Sequence, residues 1–248
     1  MRKICLVVAL LPFVVLSQAK KGTVKPKIKT SIPKITTPGT SSNPSASLDI
    51  ATGLKEALQN GVSKEVTKLA LEDGFFKNEA VKILMPEELT KMENTLRKLG
   101  MGNVVDQGVL TMNRAAEDAV KVATPIFMDA IKNMTITDAK SILFGNSNAA
   151  TLYLQSSTHE ALYQKFSPIV QESIAKVGAD VVWNAMISKY NQIPLISKVN
   201  PDLTDYITKK TMDGVFKMIA VEEENIRKNL KSRTSSVLQN VFGLLNSK

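Results

Sequence analysis

Cysteine, histidine and tryptophan are almost absent from this 248-residue chain, which contains one of each. A single cysteine excludes an intramolecular disulfide, and with one histidine it leaves too few ligands for a Cys/His zinc cage. The sequence also lacks a GxSxG elbow, a Walker A loop and a GxGxxG phosphate loop. Thiol chemistry, zinc chemistry and Gly-rich phosphate binding are therefore not expected, and we predict no cofactor.

The longest apolar run lies at the N-terminus. Two basic residues precede the thirteen apolar residues 4–16, and small residues stand one and three positions before a cleavage point after Ala19. This order predicts a secretory signal peptide over residues 1–19. A membrane anchor is the alternative, but thirteen helical residues cover only about 20 Å of a hydrocarbon core about 30 Å thick. We expect an exported, periplasmic or secreted protein whose mature chain has no cysteine, because Cys5 leaves with the signal peptide.

Residues 20–47 differ sharply from the rest in composition. They contain four prolines, ten serines or threonines and six lysines but no acidic residue, which predicts a disordered linker. Residues 1–48 carry a charge of +8, whereas the 24 basic and 23 acidic residues of 49–248 leave only +1. The linker is either a solvated spacer, which we favour, or a weak contact to an anionic surface. The nearly neutral body argues against a nucleic-acid partner.

From residue 48 onward, apolar residues recur at helical spacing and no period-two strand pattern appears. Prolines, N-capping residues and glycines divide the pattern into segments. Helices are expected from residue 48 and over 86–100, 103–122, 125–134, 137–144, 148–166, 168–177, 179–190, 202–228 and 234–242. The sequence therefore predicts an all-α fold, with one compact domain of about nine to eleven helices over 48–248.

The helix predicted over 202–228 carries apolar residues on nearly every side, which is typical of a buried central helix. Gly214 in its interior indicates a close approach by another element. Asp205 and Asp213 on such a helix would need partners, because an unpaired buried charge is costly. The candidate partners are Arg97, Arg114 and Arg227.

The best polar constellation lies at the edge of the apolar face of the helix predicted over 103–122. On an ideal helical wheel Asp106, Asn113 and Glu117 stack within about 40° of one another, and Arg114 lies beside them. Such a set could catalyse acid–base chemistry through Asp106 and Glu117, or bind a ligand through Asn113 and Arg114. The alternative, which we favour, is a satisfied polar seam between packed helices. In either case we expect Glu117→Gln to leave folding nearly unchanged.

Three further features have both a structural and a functional interpretation. His159 could act as an acid or base, but we expect its side chain to face solvent. Glu222–Glu224 spread over about 200° of a helix, so they cannot share one cation, and we expect a solvated helix end and no metal site. Phe75 and Phe76 lie in a polar connection and are candidates for an exposed apolar contact with a ligand or partner.

The chain resembles one bacterial family in four segments: GLKEAL (53–58), LTMNRAAEDAV (110–120), PIFMDAI (125–131) and DYITKKTMDGVFKMIAVEEENIR (205–227). This is the secreted, all-helical family catalogued as domain of unknown function 4197, and the resemblance runs from about residue 50 to 243. It implies a single helical domain exported by Gram-negative bacteria. It brings no established activity, ligand or catalytic residue, and the lysine-rich linker lies outside it.

Two functions of different classes remain open. The scarcity of histidine and the missing nucleophile motifs favour a non-enzymatic exported protein that binds an envelope partner or an apolar ligand. The alternative is an envelope hydrolase or lyase that uses a helix-borne carboxylate pair, Asp106 with Glu117 or Asp205 with Asp213. No segment beyond the N-terminal run is apolar enough to predict an integral membrane protein.

Overall fold

The structure is a computed structural model that describes residues 44–233 and 235–246. The predicted signal peptide, residues 1–19, lies outside the described residues, as does the predicted linker up to residue 43. The last four residues of that predicted linker, 44–47, form the start of the first helix.

Over the described residues the chain forms nine α-helices and no strand, which confirms the predicted all-α class. Short 3₁₀ turns cover Glu87–Leu89, Leu230–Ser232 and Leu244–Asn246. The helices are α1 (Pro44–Leu69), α2 (Thr90–Lys98), α3 (Gly102–Val120), α4 (Ala123–Asn133), α5 (Ile136–Leu143), α6 (Ala149–Ala175), α7 (Ala179–Tyr190), α8 (Leu203–Lys228) and α9 (Ser236–Gly243). None of these helices has a stretch long and apolar enough to cross a lipid bilayer.

Helix α6 is continuous where the sequence predicted two helices, over 148–166 and 168–177. Pro168 lies inside it on an exposed position and removes one backbone hydrogen bond, a cost of about 3 kcal/mol. The buried face nevertheless continues past the proline, with Val170 and Ile174 fully buried. Burying two such side chains contributes about 1.5–3 kcal/mol each, which outweighs the loss and keeps the helix intact.

The centre of the fold is α8, which packs against α1, α3 and α6 and has buried residues along most of its length. The predicted close approach at Gly214 is confirmed. Atom Cε1 of Phe75 lies 2.8 Å from the position that a Cβ on Gly214 would take, so any side chain there would displace the ring. Nearby, Phe216 of α8 meets Phe127 of α4 edge to face, with ring centroids 5.9 Å apart.

A second, smaller core joins α1, α5, α9 and the end of α8. Leu54, Leu143 and Phe242 are buried in it. Gly53 allows α9 to approach α1 closely, because a Cβ on Gly53 would collide with the side chain of Val241. The C-terminal helix is therefore part of the folded body.

Three helices begin with side-chain caps that satisfy otherwise unpaired backbone N–H groups; at α9 the cap is the Ser235 hydroxyl, which accepts from the Leu238 N–H (3.1 Å). At α5, the Thr135 hydroxyl accepts from the Asp138 N–H (3.1 Å) and the Asp138 carboxylate accepts from the Thr135 N–H (2.9 Å), which is a complete capping box. At α8, the predicted cap Asp202 is confirmed, since its carboxylate accepts from the Asp205 N–H (3.0 Å).

The chain between α1 and the first 3₁₀ turn contains no α-helix, and we refer to residues 70–86 as the 70–86 segment. It crosses both α3 and α8. From α8, Lys217 Nζ donates to the carbonyl of Ala80 (2.8 Å) and Tyr206 Oη donates to the carbonyl of Leu84 (2.9 Å). This segment is the element that the polar residues of α3 contact.

Candidate functional site

Glu117 is buried, with 3% of its surface exposed, and it binds backbone of the 70–86 segment. Its Oε1 accepts from the N–H groups of Phe75 (3.0 Å) and Phe76 (3.1 Å). Its Oε2 accepts from Arg114 Nη1 at 2.6 Å. Both oxygens are thus engaged by donors from the protein itself, so the buried charge is compensated.

Asn113 makes the second attachment of the same segment. Its amide donates from Nδ2 to the carbonyl of Ile83 (2.8 Å), and its Oδ1 accepts from the N–H of Ile83 (2.8 Å). The side chain therefore pairs with Ile83 as a neighbouring β-strand would. Nδ2 also donates to the carbonyl of Val109, one turn earlier in α3, at 2.7 Å. The amide is fully buried and has no atom turned to solvent.

Arg114 completes the attachment from the partly exposed side. Besides Glu117, its guanidinium donates to Asp73 (2.8 Å) and to Glu72 (3.2 Å). These carboxylates, Glu117 first and Asp73 second, hold the pKa of the Arg114 guanidinium above its usual value. In turn, hydrogen bonds from Lys77 and then Arg114 lower the pKa of Asp73.

Asp106 does not join this set. Its side chain is 63% exposed and accepts from Arg97 Nη2 at 2.8 Å, and Asp106 and then Glu93 raise the pKa of that arginine. Eleven residues separate Asp106 from Glu117, which is about 16 Å along a helix. The structure therefore does not bring the two predicted carboxylates together around one space. Asn113, Arg114 and Glu117 together form what we call the α3 ladder, which holds the 70–86 segment.

The expectation that Phe75 is an exposed apolar contact is wrong. Its ring is fully buried, because the missing side chain of Gly214 leaves room for it against α8. Phe76 is half-buried, and two cations cover its ring: Lys82 Nζ lies 4.7 Å and Arg114 Cζ 5.7 Å from its centroid. Both phenylalanines are thus engaged within the protein.

The expectation of a solvated end at Glu222–Glu224 is wrong for its central residue. Glu223 is buried and accepts from the N–H groups of Ala150 (2.9 Å) and Thr151 (2.9 Å) at the start of α6. Arg227, one turn later in α8, donates to the same carboxylate at 2.8 Å. A carboxylate at a helix N-terminus is favourable because the helix dipole is positive there.

The two aspartates of α8 differ in environment. Asp205 is half-buried and accepts from Tyr163 (2.7 Å), Asn200 and Lys209 (2.8 Å). Burial raises the pKa of Asp205, but the hydrogen bonds, that of Lys209 first, outweigh burial and lower the pKa overall. Asp213 is exposed, so it needs no cationic partner, and none of the three candidate arginines binds either aspartate.

His159 is exposed on α6, as expected. Across the residues that the structure describes, no group of three or more His, Cys, Asp or Glu side chains is arranged to hold a metal ion.

An apolar groove, which the sequence did not reveal, opens between α2, the N-terminal half of α3 and α7. Its volume is about 410 Å³, and none of the fifteen residues that line it has an ionisable side chain. The apolar lining includes Met85, Leu96, Val104, Met112, Val182, Trp183 and Met186. Two uncharged polar residues, Gln107 and Thr111, lie one turn apart on its α3 wall.

The rim of this groove leaves large apolar side chains in water. Val104 is 56% exposed, Val177 65% and Val182 68%, and all three line the groove. Val181, next to Val182, and Leu99, at the end of α2, are exposed to a similar degree. In the sequence, the tripeptide Val181–Trp183 indicates an exposed apolar surface on α7. Three consecutive apolar residues span about 200° of a helix, so they cannot all face one core.

Trp183 fixes α7 beside the groove. Its indole is nearly parallel to the ring of Tyr206 on α8, with centroids 6.2 Å apart, and its Nε1 donates to the carbonyl of Asn200 (3.2 Å). Trp183, the only tryptophan of the chain, is buried and forms part of the inner wall of the groove.

A larger cavity, of about 550 Å³, lies between the 70–86 segment and α8. Its rim is charged with both signs, including Lys210, Lys217, Asp213 and Glu87. Charges of both signs do not indicate one class of ligand. The lining of the smaller groove, in contrast, has no ionisable side chain and favours an apolar ligand.

Residues 45–243 match a family model described as "Protein of unknown function (DUF4197)". The chain belongs to this family. The DUF4197 match runs from the start of α1 to the end of α9, so it contains the α3 ladder and the apolar groove, and it confirms the resemblance found in the sequence. Neither a curated protein nor a solved structure matches the chain significantly.

Proposed function

We propose that this DUF4197 protein is a non-enzymatic binding protein that holds an apolar ligand in the groove between α2, α3 and α7. The observation that carries the proposal is the chemistry of the groove: fifteen lining residues without a single ionisable side chain. Ligand sites are typically concave and mostly apolar, with a few polar groups that fix orientation. Gln107 and Thr111 are suitably placed for that second role.

The size of the groove favours a small apolar ligand over a protein partner. A volume of about 410 Å³ falls in the range of small-molecule sites, roughly 300–1,000 Å³. Three methionines, Met85, Met112 and Met186, line it, and their flexible thioethers adapt to ligands of different shape. The alternative ligand is an envelope protein that inserts one apolar segment into the groove.

Covering the rim supplies the driving force. Val104, Val177 and Val182 are each more than half exposed, and transferring the exposed part of each side chain out of water contributes about 1–2 kcal/mol. A ligand that covers these three residues would therefore gain several kilocalories per mole without any charged contact. Binding should consequently depend little on salt.

We also propose that the protein acts in the periplasm after export. This rests on residues 1–19 of the sequence, where a basic start, an apolar run and small residues precede Ala19. The mass of the protein isolated from its own cells tests it, because processing predicts a chain that begins at Lys20. A chain that retains residue 1 would contradict export by this route.

The binding proposal is tested by filling the groove. Gly108 lines it, and a Cβ on Gly108 would meet no atom within 4 Å, so the backbone has room for the larger side chain that Gly108→Leu adds at the groove. We expect the uncharged fluorophore N-phenyl-1-naphthylamine to bind the wild type, to accept energy from Trp183, and to bind Gly108→Leu about tenfold or more weakly, since a filled site loses apolar contact area.

The matched control is Gln155→Leu, which adds the same side chain to an exposed position of α6 that does not line the groove. Its probe affinity should equal that of the wild type. Equal affinities in wild type and Gly108→Leu, or no binding to folded wild type, would contradict the proposed function.

A further inference from the structure

The connection from α7 to α8 contains a loop, residues 192–198, whose ends are fastened together. Asn191 donates from Nδ2 to the carbonyl of Val199 (2.7 Å), and its Oδ1 accepts from the N–H of Val199 (2.9 Å). Val199 is buried beneath the loop, and Trp183 binds the next carbonyl, that of Asn200. The base of the loop is therefore built into the fold, and its conformation is preorganised.

The tip of this loop is apolar and faces outward. Ile193 is half exposed, Pro194 is exposed, and Leu195 is fully exposed. Leu195 also has φ +62°, a left-handed conformation that glycine or asparagine adopts at lower cost than leucine. The packing of the protein gives no reason for leucine here, because the side chain contacts solvent and not the core.

The charged side chains of the loop and of the end of α7 are both lysines. From residue 181 to 201 the chain carries Lys189 and Lys198, both exposed, and no acidic residue. The acidic residues at the base of the loop are already engaged within the protein: Asn200 and Lys209 donate to Asp205, and Asp202 caps the start of α8. The two lysines thus stand at the two ends of the loop, behind its apolar tip.

We propose that the 192–198 loop inserts its tip into the interface of a lipid bilayer that contains anionic lipids. An apolar tip backed by lysines matches the surface of such a bilayer, because the side chains enter the acyl boundary while the cations remain among the headgroups. A protein partner fits less well, since a stable interface covers about 800 Å² on each side and this tip presents only three side chains. The inference is independent of the groove, because it uses neither its lining nor its ligand.

The test is flotation of the protein, as isolated from its own cells, with two kinds of vesicle: phosphatidylcholine alone, and phosphatidylcholine mixed with phosphatidylglycerol. We expect association with the mixed vesicles. Leu195→Asn should weaken it about tenfold or more, since the burial of the leucine is lost. The double variant Lys189→Glu, Lys198→Glu should lose the preference for the anionic vesicles.

Controls separate the loop from other contacts. Leu230→Ser removes another exposed leucine, 66% exposed, from a different part of the surface and should leave association unchanged. Leu195→Asn should not lower folding stability, because asparagine tolerates positive φ better than leucine, so its loss of binding cannot be attributed to unfolding. Gly108→Leu should also associate normally, which distinguishes this inference from the proposed function.

Two results would overturn the inference. One is wild-type protein that does not float with either vesicle, which would direct attention to a protein that receives the tip. The other is unchanged flotation of Leu195→Asn together with loss of flotation when residues 20–43 are deleted, which would assign the lipid contact to the lysine-rich N-terminal segment.

Discussion

Glu117→Gln is the substitution that best tests the α3 ladder, because it changes one atom and leaves the shape of the side chain. The sequence alone suggested little effect on folding. The structure revises that expectation, since the carboxylate is buried between two backbone N–H groups and Arg114. Glutamine retains one acceptor oxygen, but its NH₂ group would face the Arg114 guanidinium. Both groups are hydrogen-bond donors, so the hydrogen bond from Arg114 would be lost.

The expected cost follows from these contacts. A hydrogen bond to a charged group contributes about 1.5–3 kcal/mol and a neutral one about 1 kcal/mol. Weakening the bonds to Phe75 and Phe76 and losing the bond to Arg114 therefore predicts a destabilisation of about 2–3 kcal/mol. The cost stays below the 3–5 kcal/mol of breaking a fully buried pair, because Arg114 is a third exposed and keeps Asp73.

Urea unfolding followed by far-ultraviolet circular dichroism measures the change in the free energy of unfolding. Trp183 fluorescence gives a second probe of the same transition, since it is the only tryptophan. Hydrogen exchange should also show faster exchange at the amides of Phe75 and Phe76 than in the wild type, because the 70–86 segment is then held less firmly.

The control is Glu72→Gln, which removes a carboxylate from the same arginine at a position where the side chain is 82% exposed. Its effect should be below about 0.5 kcal/mol, because exposed ion pairs contribute little. A destabilisation by Glu117→Gln no larger than that of Glu72→Gln would refute the conclusion that the α3 ladder holds the 70–86 segment.

Three further predictions concern caps, helix propensity and pH. Thr135→Ala should cost about 1 kcal/mol in urea unfolding, because it removes the capping box with Asp138, and an unchanged midpoint would contradict the cap. Gly108→Ala should raise stability by about 0.5–1 kcal/mol, since it adds helix propensity at an open position, and a lowered melting temperature would show a contact at that position. Hydrogen bonding to Asp205 first and burial second raise the pKa of Tyr163 to about 12, whereas burial first and Glu88 second raise that of Tyr206 to about 12. The unfolded chain loses these protons from about pH 10, so the stability present below that pH should fall between about pH 10 and 12. The double variant Tyr163→Phe, Tyr206→Phe should lose less stability over this range than the wild type, and equal losses would contradict the assignment.

The sequence predicted those features that depend on local periodicity and capping. The all-round apolar pattern of 202–228 identified the central helix, Asp202 its cap, and Gly214 the close approach. These predictions succeed because a helix fixes which residues share a face, whatever it packs against.

The partners of the polar residues could not be predicted in the same way. The helical wheel placed Glu117 and Asn113 correctly at the edge of the apolar face, yet their partners are backbone groups of the 70–86 segment, 30 or more residues away. That segment has no periodicity from which its path could be inferred. The burial of Phe75 has the same origin, because the space above Gly214 exists only once both elements are in place.

The groove could not be predicted from the sequence either. It arises from the placement of α7 opposite α2 and α3, and its exposed valines Val104 and Val182 lie on helices whose other faces are buried, while Val177 lies in the turn between α6 and α7. Adjacent Val181 and Val182 indicate that part of α7 faces outward, but they do not indicate what lies opposite.

Native mass spectrometry of the protein isolated from its own cells tests the central claim, binding of an apolar ligand in the groove, most directly. We predict that the wild type carries an additional non-covalent mass that is released on denaturation, and that Gly108→Leu, prepared in the same way, lacks most of it. A bare wild-type chain, or the same bound mass on both proteins, would contradict the claim.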